Sequence, residues 1–128
     1  MAQVKIYGLR STLHPLQPEI SAAIHGALMA AFQLPADKRF QRFFYLEPGE
    51  FLYPADRSER YIIIEISCFE GRSVEAKKHL IRQLFERLQA VGIAPQDVEI
   101  TITETPKHSW GIRGAPGDEL SLGYKVDV

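Results

Sequence analysis

The strand-turn-helix stretch around residue 72 delivers an arginine to the end of a sheet, where it is suited to holding a small organic acid. Residues 62–72 read Ile-Ile-Ile-Glu-Ile-Ser-Cys-Phe-Glu-Gly-Arg: an apolar strand, a glycine turn, then Arg72 directly before a helix start at Ser73. A guanidinium stays charged at any ordinary pH and grips a carboxylate through two parallel hydrogen bonds. The alternative is a solvated arginine in the first helical turn, where the positive end of the helix dipole disfavours a cation.

Other chemistry-bearing residues lead elsewhere. His14, His25, His79 and His108 lack metal-ligand spacing, and the single cysteine adds no zinc motif, so neither metal nor cofactor is expected. Ser11, Ser58 and Ser121 stand outside any nucleophile elbow or phosphate loop. Lys38-Arg39-Phe40-Gln41-Arg42 mixes cations with aromatics, as a platform for single-stranded nucleic acid would. With 15 basic and 16 acidic residues the whole chain attracts neither nucleic acid nor anionic lipid. That run therefore reads as a strand with its cations turned to solvent or to a pocket.

These residues need elements to position them. A chain of 128 residues, 45% hydrophobic and 24% charged, fits one globular domain over 1–128. No apolar run reaches the ~20 residues of a membrane helix, and no secretory h-region opens the chain. Cys68 inside the apolar strand reads as an inert buried thiol of a soluble protein in the reducing cytoplasm. Alternation predicts strands at Val4–Tyr7 and Val98–Ile102, and Phe40–Leu46 is a third, extended by Phe51–Tyr53. One helix is predicted from about Pro18 to before Pro35 and another from the N-cap Ser73 to Gly92 and Pro95.

The order is β-α-β-β-α-β, and Val4 aligns with Ile64 and Leu28 with Leu88, each 60 positions on. The pattern reads as an α+β fold made by tandem duplication of a βαβ unit, with units at about 1–58 and 59–128. Right-handed crossovers would give one sheet with both helices on one face. The other face is expected to be apolar and to need covering by oligomerisation. In the tail, Trp110 and the following Gly111-Ile-Arg-Gly114 predict a short hairpin that packs on a neighbour or caps a cavity.

Three segments, Phe69-Glu-Gly-Arg-Ser-Val-Glu-Ala-Lys-Lys78, Val98-Glu-Ile-Thr-Ile-Thr-Glu104 and Trp110-Gly-Ile-Arg-Gly114, resemble the tautomerase superfamily, most plainly its 4-oxalocrotonate tautomerase branch. Ala23-Ile-His-Gly-Ala-Leu28, Phe32-Gln-Leu-Pro35 and Arg39-Phe-Gln41 resemble the malonate semialdehyde decarboxylase branch. The resemblance implies a tautomerase/MIF-like fold, a homotrimer with sites at subunit contacts, and an N-terminal proline whose amine serves as base or acid. Here the proline position is Ala2. Arg72 matches the substrate-carboxylate arginine of the superfamily. Trp110 falls where an aromatic closes the pocket, and His25 where some relatives carry a histidine on the first helix; Arg39 joins them as a substrate-binding candidate. A helix-face histidine held by a backbone carbonyl is the other reading of His25. The second arginine of the tautomerase branch falls on Glu99, and the decarboxylase's acid and first arginine fall on Lys38 and Glu70.

Two functions follow as expectations. One is a weak enol-keto tautomerase of a small keto or unsaturated carboxylic acid, with Ala2 and Arg72 as catalytic residues. The other is a noncatalytic small-acid-binding or interaction protein on the same scaffold, with decarboxylation or hydration of 3-carbon acids as a further variant.

Overall fold

The structure, a computed structural model, describes residues 2–128. Met1, whose removal decides where the N-terminal amine lies, falls outside the described residues. The main elements are β1 (Ala2–Leu9), α1 (Arg10–Phe32), β2 (Gln41–Leu46), β3 (Ile62–Phe69), α2 (Val74–Ala90) and β4 (Val98–Thr105). A small hairpin of β5 (Gly111–Ile112) and β6 (Ala115–Pro116) follows.

Four strands form one sheet in the order β2-β1-β3-β4. β1 runs parallel to β2 and β3 parallel to β4, while β1 and β3 are antiparallel. Each half of the chain is thus a βαβ crossover, and the halves meet along β1 and β3. In that register Val4 faces Ile66, Lys5 faces Glu65 and Ile6 faces Ile64, so the two units are related about the Lys5–Glu65 pair. The 60-residue internal match seen in the sequence is this symmetry.

Period-2 alternation sends Val4, Ile6, Ile62, Ile64 and Ile66 to one face, where they are almost fully buried. Ile20, Ile24 and Leu28 of α1 and Leu80, Leu84 and Leu88 of α2 complete the same core, so both helices lie on that face. Ser73 caps α2 by accepting a hydrogen bond from the Ala76 amide at 3.1 Å. Gly92, at φ +99°, stands just beyond the helix in a conformation that favours glycine.

The structure differs from the sequence expectation in three places. First, α1 begins at Arg10, with Pro15 and Pro18 inside it. Each proline removes one amide donor, but both are solvent-exposed and water can satisfy the freed carbonyls. Burial of Leu13 and a 2.8 Å bond from Thr12 Oγ1 to the Glu59 carbonyl hold the early turns in place. Second, Phe51–Tyr53 is not a strand: Phe51, Tyr53 and Tyr61 pack as an aromatic cluster beside Leu9. Third, the sheet face away from the helices is mixed rather than apolar. Gln3, Lys5, Glu65, Ser67, Thr101 and Thr103 share it with Tyr7, Phe44 and Ile63. On it Tyr7 stacks on Phe44 at 4.8 Å and donates to Glu65 at 2.6 Å.

The ends of β1 and β3 differ in how they hold an arginine. Arg10, directly after β1, lies exposed, bonded to Glu47 at 3.0 Å and resting over the Tyr45 ring. Arg72, just after β3, is buried.

Candidate functional site

The site is built where β3 ends and the C-terminal tail folds back. Gly71, at φ +132°, makes the turn, and a side chain there would come within 3.0 Å of Val126. The turn drives Arg72 inward until only 5% of it is exposed. Its guanidinium lies 4.6 Å over the Phe32 ring, and Nη1 donates to the Phe69 carbonyl at 3.3 Å. Nε and Nη2 are buried without a hydrogen-bond partner among the described residues. The Glu104 carboxylate pairs with Lys77 Nζ at 2.7 Å, and Arg72 forms no salt bridge among the described residues. Burial lowers the Arg72 pKa, an effect partly offset by Cys68, Tyr124 and Glu104. A buried cation without a counter-charge is costly, and the ring beneath it returns only part of that cost.

Ala2 stands opposite Cys68 in the β1–β3 ladder and is itself buried. Burial raises the Cys68 pKa, and Arg72 pulls it back. Trp110 is half-buried, its ring meeting Phe69 edge-on at 4.9 Å, and its carbonyl accepts from the Gly117 amide at 2.7 Å. Phe69 therefore touches both Arg72 and Trp110. Ala2, Arg72 and Trp110 converge on the end of β3.

His25 and Arg39 have other partners. His25 is buried on α1 with Nε2 2.9 Å from the Ala36 carbonyl, so this ring nitrogen holds the loop between α1 and β2. Arg39 is exposed, bonds Ser21 Oγ at 3.3 Å, and lines a recess with Gln3, Phe40, Gln41 and Arg42.

Tyr124 was missed by sequence reasoning. The tail lays Tyr124, Val126 and Val128 inward at alternate positions, Val126 joining Phe69 in a small apolar cluster. Ser73 Oγ lies 3.1 Å from the Val128 backbone carbonyl oxygen, to which it donates. The Tyr124 hydroxyl is buried without a partner among the described residues; burial raises its pKa while Arg72 and Arg113 lower it. Alternation of Tyr124, Val126 and Val128 was the available signal, but nothing local says what the segment folds against.

Among the described residues no group of three or more His, Cys, Asp or Glu side chains is arranged to hold a metal ion. Among the same residues no helix is long and apolar enough to cross a membrane. The arrangement offers a buried cation, an apolar wall and the start of β1 beside it, a combination able to hold an acid next to a base.

A sequence profile of the Tautomerase_2 family, described as "Tautomerase enzyme", matches residues 38–113, more than half of the chain. The chain belongs to the tautomerase family. Bacillus subtilis (strain 168) has a similar protein named "Probable tautomerase YusQ", 26% identical over 98 residues, which are 72% of this chain and 77% of that protein. The 2-hydroxymuconate tautomerase of Pseudomonas putida is 40% identical over 60 residues, 46% of this chain and 95% of that enzyme. The structure of FG41 malonate semialdehyde decarboxylase inhibited by 3-bromopropiolate superposes with a TM-score of 0.77 at 29% identity, covering 85% of this chain and 87% of that one. Another malonate semialdehyde decarboxylase gives 0.80 at 25% identity, covering 92% and 99%. Native fused 4-OT, at 20% identity and a TM-score of 0.79, shares the fold.

Proposed function

We propose that this chain is a slow enol-keto tautomerase of a small keto or unsaturated carboxylic acid. Arg72 holds the substrate carboxylate, and the Ala2 α-amine, freed by loss of Met1, moves the proton. The observation that carries the reading is the Arg72 guanidinium, buried at the end of β3 with Nε and Nη2 unpartnered. A carboxylate accepting from those two N–H groups would supply the missing counter-charge and both missing bonds. Access to them requires Tyr124 and the tail around it to yield.

Ala2 supports the second half of the reading. It pairs with Cys68, four residues before Arg72, so an amine there lies beside the bound acid. An ordinary α-amine titrates at about 7.7–8.0, and an apolar wall with a neighbouring cation favours its neutral form. In the reaction the neutral amine removes the enol O–H proton and the ammonium returns a proton to the adjacent carbon, so the amine is regenerated. Trp110 on Phe69 limits water on one side. The reading includes a cytoplasmic homotrimer; fused 4-OT relatives sharing this fold form trimers.

A primary amine on alanine also favours a second reading, a noncatalytic acid-binding protein. Its lone pair rotates freely, whereas a pyrrolidine ring aims one. The decarboxylase variant has less support, because Lys38 and Glu70 carry the opposite charge at the positions that the resemblance gives to its acid and its arginine. Calorimetry with a small dicarboxylate tests the anchor shared by both main readings. Arg72→Ala is expected to weaken binding by ~1.5–3 kcal/mol; unchanged affinity in a folded variant would remove the anchor.

A further inference from the structure

The last residues of the chain close over the turn that carries Arg72 and are held there by little. After Glu119 the described residues form no helix or strand. Among them one hydrogen bond, from Ser73 Oγ to the Val128 carbonyl at 3.1 Å, ties residues 120–128 to the rest of the chain. The other attachment is apolar. Val126, 5% exposed, joins Phe69 in its small cluster and sits so close to Gly71 that a side chain there would come within 3.0 Å of it. Gly71 and Ser73 are the two sequence neighbours of Arg72, so both attachments flank the buried guanidinium.

What the segment covers it does not satisfy. Lys125 and Asp127 are exposed on either side of buried Val126, so alternation turns the one carboxylate side chain of residues 122–128 outward. Nε and Nη2 of Arg72 and the Tyr124 hydroxyl stay buried without a partner among the described residues. A cation sealed from water without a counter-charge is costly. Closed and empty is therefore the unfavourable state. Closed over an acid, whose carboxylate accepts from the two free N–H groups, is the satisfied one. Segments with few buried contacts and few hydrogen bonds are also the ones that open locally at low free energy.

We propose that residues 122–128 are a strap that opens to admit the acid to Arg72 and that the bound acid then holds shut. The proposal rests on the reading of Arg72 as the carboxylate anchor. A ligand that completes the closed state better than the open one shifts the population toward closure.

The test places a thiol under the strap with Val126→Cys in the full chain and measures its rate of reaction with an aromatic disulfide reagent. Cys68, fully buried in the core, is the internal reference. Without ligand the introduced thiol is expected to react at least about tenfold faster than Cys68, because the strap opens while the core does not. Arg72→Met, which removes the uncompensated cation, should slow that ligand-free reaction several-fold. Saturating pyruvate, used as the probe acid, should slow it about tenfold. An introduced thiol as slow as Cys68 overturns the strap, and so does a rate that bound pyruvate leaves unchanged or raises. Calorimetry on the same protein separates the two claims. If no pyruvate is taken up, the Arg72 anchor falls and closure by the acid falls with it, while the ligand-free rates with and without Arg72→Met still decide whether the strap opens. Wild-type association followed by the fluorescence of Trp110, which packs on the same cluster as Val126, gives a reading without any substitution near the strap. Its rate should level off with pyruvate concentration at the opening rate; a rate that rises linearly throughout contradicts the gate.

Discussion

Arg72 shows how one side chain can be poor for the fold and useful to a ligand. Its burial under the tail leaves two N–H groups without partners, so replacing it with an apolar side chain of similar length should stabilise the protein. Arg72→Met is expected to raise unfolding free energy by about 1 kcal/mol while weakening acid binding as Arg72→Ala does; a lower urea midpoint at fixed chain concentration would contradict this. Burial also raises the pKa values of Cys68, Tyr61 and Tyr124 above their ordinary thiol and phenol values. For acids of this kind the unfolded chain releases its protons first. Their contribution to stability is complete below the unfolded pKa and is lost as pH rises through the folded one. Urea midpoints should hold near pH 8 and fall as the thiol and phenol ranges are crossed, with Cys68→Ala removing the earliest part of the fall. A midpoint unchanged to pH 11 would contradict it. Arg72 was legible as a site candidate because strand, glycine and helix cap adjoin in sequence. Tyr124 was not, because its burial depends on where a distant tail returns. The sequence left His25 open between site residue and carbonyl-held histidine; the structure gives its Nε2 a carbonyl partner.

At the scale of elements, patterns agreed with structure where local periodicity and packing pointed the same way. β1, β3, β4 and α2 show clear alternation or a clear apolar stripe, and α2 begins directly after its Ser73 cap. The start of α1 was misread because Pro18 signals an N-terminus, whereas burial of Leu13 and the Thr12 bond extend the helix to Arg10. Phe51–Tyr53 carries strand-forming residues that pack as an aromatic cluster instead. The hairpin that holds Trp110 gives an element-scale prediction. A Cβ on Gly117 would lie 2.8 Å from the Lys107 carbonyl oxygen and 3.3 Å from that of Trp110, backbone atoms with little room to retreat. Gly117→Ala should cost about 1–3 kcal/mol by overpacking and shift the Trp110 fluorescence. A variant with wild-type stability and emission would show that the hairpin is looser than this contact implies.

At the scale of the molecule, the ends of β1 and β3 treat their arginines differently. The end of β1 has its arginine in solvent beside Glu47, and the end of β3 has its arginine buried beneath a tail. The sheet face opposite the helices mixes aromatic with charged side chains, and the Tyr7–Phe44 stack lies there. Sedimentation equilibrium at micromolar concentration should give three times the 14.5 kDa chain mass; the mass of one chain would contradict the proposed trimer. The most direct test of the proposed chemistry is the ketonisation rate of a phenylpyruvate-type enol, measured with Ala2→Pro after mass spectrometry confirms loss of Met1. The proposal predicts a slow rate above buffer for the wild type, a clear gain for Ala2→Pro, and loss for Arg72→Ala. An Ala2→Pro protein with a free terminus that stays at the buffer rate would contradict the proposal and leave the chain as an acid-binding protein.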